Sequence, residues 1–132
     1  MSKGENSMQL SNEKIVSLFS VLTSLKGVKL PIKVSFAVKK NILKMEKVVA
    51  AFYEEHNNMI ERYCERDENN KIKVQDGVYI IKNKEEWNRD IKDLLEIENE
   101  VDLHLIELTD LLNSNIELTT QELNSLEVIL KE

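Results

Sequence analysis

The first seven residues carry no apolar anchor beyond the initiating Met1, which predicts a loose tail over 1–7. Hydrophobic order begins at Met8, an alternative start of the chain to Met1, and Met8 to Leu10 predict a short strand. Ser11 then stands as an N-cap before Ile15, Leu18, Phe19, Leu22 and Leu25, which recur at the period of one helical face. Gly27 is placed to stop that helix in a left-handed turn. Pro31 disfavours helical geometry at Leu30, so Leu30 to Ile32 read as an extended connector.

The strongest pattern follows. Val38, Ile42, Met45, Val49, Phe52, His56, Met59 and Tyr63 are spaced alternately four and three residues apart. Such a repeat predicts a helix of about 30 residues packed along a partner helix, in the manner of a coiled coil. Val48, Ala51 and Ile60 widen the stripe toward a bundle face, and the polar stretch from Glu65 to Asn70 should end it.

Beyond it, Lys71 to Gln75 and Val78 to Lys82 flank Asp76 and Gly77, the strongest short-range hairpin signal. A helix from about Lys84 to Asn99, with Trp87, Ile91, Leu94 and Leu95 on one side, supplies an antiparallel partner for the long helix. Val101 to Leu105 alternate in polarity and predict a strand that adds to the hairpin as a third member. Thr119 and Glu122 have the spacing of a capping box, with Leu118 stapled onto Leu123. The last helix then turns Leu123, Leu126, Ile129 and Leu130 inward. The predicted class is α+β, mainly α: a long antiparallel helical hairpin, a small antiparallel sheet and a C-terminal helix, in one domain over 8–132.

A chain of 132 residues, 42% hydrophobic and 32% charged, suits one core with a wet surface. Its single cysteine, Cys64, excludes an internal disulfide and suits a reducing compartment. No stretch reaches the roughly 18 apolar residues that span a bilayer, and no secretory leader pattern opens the chain. The expected location is the cytoplasm, with no membrane partner.

Charge changes the picture more. The net −6 conceals a basic segment and an acidic one. Lys26, Lys29, Lys33, Lys39, Lys40, Lys44 and Lys47 against Glu46 give +6 between Ser24 and Ala50. Eleven acids against Lys131 give −10 from Asp93 to Glu132. The two segments can attract each other within the fold or simply be solvated, the commoner case for charge runs. Otherwise Asp93, Glu96, Glu98, Glu100, Asp102, Glu107 and Asp110 are candidates for contact with a basic partner. The lysine segment is a candidate for phosphate contact, but it holds no Arg to read base edges and only Phe36 to stack. Nucleic acid is therefore the weaker reading.

Catalytic chemistry finds little footing. His56, the polar member of the seam, is either a ligand or pH-sensitive group, or a residue that sets register; its spacing favours register. His56, Cys64 and His104 occur in none of the His-Glu-x-x-His, Glu-x-x-His or Cys-x-x-Cys spacings that bind metal. Cys64 sits among Glu61, Arg62, Glu65 and Arg66, a mixed field with no reason to favour thiolate. Gly4, Gly27 and Gly77 are isolated and make no phosphate loop, and the adjacent pairs Glu54, Glu55 and Glu85, Glu86 point in different directions on their helices. No catalytic residue, metal or cofactor is expected, and the chain is not expected to be an enzyme.

The segment from Leu30 through Pro31, Ile32, Lys33 and Val34 to Lys47, continuing through Tyr53, Glu54 and Glu55 to Ile60, Glu61, Arg62 and Tyr63, resembles a family of small uncharacterised phage and prophage proteins, DUF1617. Leu10 to Lys14 and Glu117 to Glu127 are similar to the two ends of that family, so the likeness spans the chain from Met8. The residues before Met8 depart from the pattern. The resemblance implies a viral origin and the cytoplasm of a host bacterium, and it brings no activity and no site residues. The expected function is non-catalytic binding of a protein, either a host-defence system that is inhibited or a phage-assembly component. A homo-oligomeric scaffold, possible as a homodimer if the N-terminal helix leaves part of the long seam uncovered, and nucleic-acid binding through Lys26 to Lys47 stand as alternatives.

Overall fold

The computed structural model describes residues 7–132. The tail predicted over 1–7 lies outside the described residues except for Ser7, which opens strand β1 (Ser7–Ser11). Helix α1 (Asn12–Ser24) follows without a loop, and the Ser11 side chain accepts from Lys14 N at 3.2 Å as the predicted N-cap. Ile15, Leu18 and Leu22 are fully buried along its inner face. The helix closes through hydrogen bonds from the Leu25 N–H to carbonyls of the preceding turn, without a left-handed glycine. Among the described residues the positive-φ glycine is Gly77, so the expected role of Gly27 is corrected.

Pro31 caps helix α2 (Ile32–Tyr63) with φ −53° and ψ 146°, its ψ and not its fixed φ holding it out of the helix. α2 thus starts six residues before the first seam position and runs 32 residues. Every seam residue is buried except His56, which is half-buried. The seam does not meet one partner helix as a coiled coil does. Its first half packs with α1 and the later strands in the main core, and Phe52, Met59 and Tyr63 form a second core with Leu94. A helix of about 48 Å, at 1.5 Å per residue, outreaches any single neighbour here.

The chain reverses through a hairpin of β2 (Val74–Gln75) and β3 (Val78–Tyr79). Asp76 and Gly77 have φ of 52° and 78°, the two left-handed positions of a type I′ turn. Isolated bridges from Cys64 to Ile81 and from Arg66 to Ile72 hold the hairpin to the end of α2. Helix α3 (Lys84–Glu96) then runs back along α2, with the Asn83 side chain accepting from Glu86 N at 3.2 Å at its start.

Strand β4 (Glu98–Asp102) pairs antiparallel with β1, Val101 opposite Met8 and Asn99 opposite Leu10. The expected three-stranded sheet with the hairpin does not form. α3 carries the chain about 20 Å from the hairpin before β4 begins, so the strand meets the N-terminus instead. The strand also lies earlier than the predicted 101–105, because α3 ends at Glu96.

The C-terminal part holds elements that the hydrophobic pattern did not indicate. β5 (Ile106–Glu107) leads into the short helix α4 (Leu108–Leu112), and β5 pairs in parallel with the terminal β6 (Leu130–Lys131). Between them α5 (Thr120–Leu126) starts with the predicted capping box, Thr119 Oγ1 accepting from Glu122 N at 3.0 Å and Glu122 Oε1 from Thr119 N at 2.9 Å. Only one helical face of so short an element reaches the core, so Leu126 is buried and Leu123 is exposed, against expectation. Ile129 is buried from a 3-10 turn (Glu127–Ile129) after α5. The result is a mainly-α α+β domain.

Candidate partner-binding groove

α2 and α3 diverge enough to leave an open groove of about 750 Å³ between them. On the α2 side Val48, Phe52 and Met59 form an apolar floor, with Ala51 at the lip. Leu94 and Ile97 complete it from α3 and its C-cap. Both walls repeat at helical spacing: 48, 52, 55, 59 and 62 on one, and 90, 93, 94 and 97 on the other. Ile97 is a large apolar residue left 51% exposed, at the mouth of the groove.

The rims are charged. Lys47 and Arg62 stand at the two ends of the α2 wall with Glu55 between them, facing Asp90 and Asp93. Asp90 is already engaged within the chain. The Tyr63 hydroxyl donates to its Oδ2, Arg62 Nη1 lies 4.0 Å from the same oxygen, and the guanidinium sits 5.7 Å from the Tyr63 ring centroid. The Asp90 carboxylate accepting that bond holds the Tyr63 phenol above its ordinary value, against the opposing effect of Arg62 and with a smaller addition from burial. A raised phenol contributes stability that is full below the ordinary tyrosine value and is lost as pH climbs through the raised one. In an ultraviolet titration of phenolate, Tyr63→Phe should remove the Tyr63 step, and Asp90→Ala should bring that step to lower pH.

One end of the groove is closed by a small amide network. Asn12, buried at the start of α1, donates to Leu94 O at 2.8 Å, and its own Oδ1 accepts from Asn99 Nδ2 at 2.8 Å. The Asn12 N–H also donates to Ile97 O at 2.8 Å. The start of α1 is thereby fastened to the C-terminal end of α3, where Leu94 O also accepts from the Ile97 N–H at 3.4 Å.

The seven acids singled out from the sequence do not make one surface. Asp93 lines the groove, whereas Glu98, Glu100 and Asp102 share the solvent face of β4, two residues apart, with Ser7 Oγ donating to Glu100 at 2.9 Å. Glu96 is exposed at the end of α3. Glu107 and Asp110 border a smaller cleft with Ile32, Lys33, Phe36 and His104, where Glu107 pairs with Lys131 at 3.8 Å. All seven lysines from Lys26 to Lys47 are exposed, and one of them, Lys47, reaches the groove.

The residues with chemistry of their own are dispersed. His56 stacks on Phe52 at 5.9 Å and meets the edge of Trp87 at 5.8 Å, which makes it part of an aromatic cluster behind the groove. His104 lies beside Asn41 and Phe36, roughly 22 Å up the axis of α2 from His56. Cys64 is buried, and desolvation, followed by the Glu61 carboxylate, pushes its thiol up, away from the nucleophilic thiolate. Among the described residues no group of three or more His, Cys, Asp or Glu is placed to hold a metal ion.

Sequence reasoning missed Asn12, Asn41 and Asp90. A signal existed for the two amides: Asn12 lies three residues before Ile15, and Asn41 three after Val38 and four before Met45. Each is in phase with a buried stripe, where a polar side chain must find partners. Asp90 gave no such sign, because its role depends on Tyr63 arriving from another helix. In comparisons with protein-family models, curated proteins and solved structures, the chain matches none.

Proposed function

We propose that this chain is a non-catalytic protein-binding module that receives a helix of its partner in the α2–α3 groove. The observation that carries this reading is the pair of groove walls, each repeating at helical spacing over an apolar floor. Two helices so disposed present the seat into which a third amphipathic helix packs. Glu55 and Asp93 offer contact to cationic residues on the flanks of that helix, and Lys47 to an acidic one.

The proposed setting, drawn from the sequence likeness alone, is the cytoplasm of an infected bacterium. There the partner is a host-defence protein that is inhibited, or a phage-assembly protein. A homo-oligomeric scaffold is less well supported. Its motive was an apolar seam too long for α3 to cover, and α1 together with the β4–α4 region covers the remainder within the chain.

The test is affinity capture from nuclease-treated lysate of phage-infected host, comparing the native chain with Ala51→Arg. Ala51 is exposed at the groove lip and Arg is a good helix former, so the variant should keep its fold and lose the partner. A defence effector as the lost protein identifies an inhibitor, and a virion component identifies an assembly factor. Partner recovery unaffected by Ala51→Arg but lost on neutralising Glu98, Glu100 and Asp102 would move the contact to β4 and sink the groove.

A further inference from the structure

A second surface on α2 is unlike the groove. Ile32, Phe36 and Leu43 are 82%, 58% and 68% exposed, although Val34, Val38, Ile42 and Met45 on the same stretch of helix are buried. At about 100° per residue the three fall in one narrow strip opposite the buried face. Lys33, Lys40, Lys44 and Lys47 run along one side of the strip and Lys39 along the other, while Lys26 and Lys29 extend the field from the preceding turn. Between Ile32 and Ala51 the one carboxylate on α2 is Glu46. The acidic β4, β5 and α4 pack on the buried side of α2. At the start of the helix Asp110 borders the strip, and Glu107 is paired with Lys131.

The chemistry of this face selects among occupants. A nucleic acid satisfies the lysines but offers nothing to Ile32 and Leu43, and Lys without Arg is poorly suited to base edges. A docked helix covers a strip but not a lysine field spread over an arc of roughly 140°. A planar anionic surface that apolar side chains can enter satisfies both features at once. Lys, a strongly hydrated point charge on a long apolar stem, suits such a surface, since the stem follows the apolar strip while the ammonium stays at the headgroups.

We propose that the outer face of the first half of α2 docks on an anionic lipid surface. Ile32, Phe36 and Leu43 enter the headgroup boundary, and the lysines neutralise the lipid phosphates. This contact on the membrane surface replaces the expectation of no membrane partner, and among the described residues no helix is long and apolar enough to cross the bilayer. The acidic residues away from the strip, Glu98, Glu100 and Asp102 on β4 among them, are repelled by the same surface and favour this orientation. Asp110, beside the start of α2, works against it, and Glu107 is offset by Lys131. The groove then opens sideways from the membrane, sharing Lys47 with this face.

The test is co-sedimentation of the full chain with vesicles of phosphatidylglycerol and phosphatidylcholine, against phosphatidylcholine alone. Binding is expected only to the anionic vesicles, and should fall steeply with salt. Lys40→Glu combined with Lys44→Glu should weaken it roughly tenfold or more. Leu43→Ser should weaken it with the salt dependence retained. All three positions are exposed, so circular dichroism and melting should be unchanged. Absence of binding to anionic vesicles at low salt overturns the proposal, as does full binding by both variants. A lysine-dependent gel shift of DNA without vesicle binding assigns the face to nucleic acid instead, and a concentration-dependent dimer abolished by Leu43→Ser assigns it to a second copy.

Discussion

Replacing Asn41 with Leu should destabilise the protein by about 3 kcal/mol, in spite of the similar volume and greater apolarity of the new side chain. Asn41 is fully buried on α2, and its amide grips the backbone of His104 from both sides. Nδ2 donates to His104 O at 2.8 Å, while Oδ1 accepts from His104 N at 2.6 Å. The segment between β4 and β5 has no strand partner at His104, so this side chain replaces the missing ladder. Leucine would leave an N–H and a C=O in a partly buried site without partners, each at a cost of about 1–3 kcal/mol. Asn41→Asp tests the mechanism further. It retains the acceptor but loses the donor and buries a charge, so it should be no better than leucine. Urea denaturation measures both, and an Asn41→Leu variant within about 0.5 kcal/mol of the native chain would refute the clamp.

The second large effect separates the two faces of α2. Met45→Ala should cost about 2–5 kcal/mol, because Met45 is completely buried where α1 crosses the seam and the cavity left behind has packed walls. Leu43→Ala, two residues away, should change stability by less than about 0.5 kcal/mol, since the side chain already faces water. Paired melts of the two variants read the difference directly. A comparable loss at both positions would mean that Leu43 is covered in solution.

The seam and the hairpin were legible because each depends on local spacing: a four-three repeat commits a helix to one face, and Asp76 with Gly77 commits the backbone to one turn. The caps at Ser11 and Thr119 were legible for the same reason, since each is a contact across three residues. What could not be read was pairing at long range. Val101 alternates with its neighbours whichever strand it meets, and only the length of α3 decides that it faces Met8. The segment from Ile106 to Leu112 is too short for periodicity to speak. The site was legible in part. Asp93 was named for its charge, but a groove is a property of two helices, and the apolar spacing of α3 was assigned wholly to the core. Ile97, outside the apolar side read for α3, stands half open at the groove mouth.

The pairing of β1 with β4 has a consequence for synthesis of the chain. Ser7 and Glu100, bonded in that ribbon, lie 93 residues apart. On the ribosome β1 emerges before β4 and waits, with its edge unpaired, until the helices and hairpin between them have followed. α1, α2 and the hairpin hold short-range contacts and can organise during that interval. Closure of the amino-terminal strand, and with it the Asn12 junction that shuts one end of the groove, is therefore a late step. A nascent chain stalled before β4 has emerged would carry the long helix and the lysine-rich face but no finished groove.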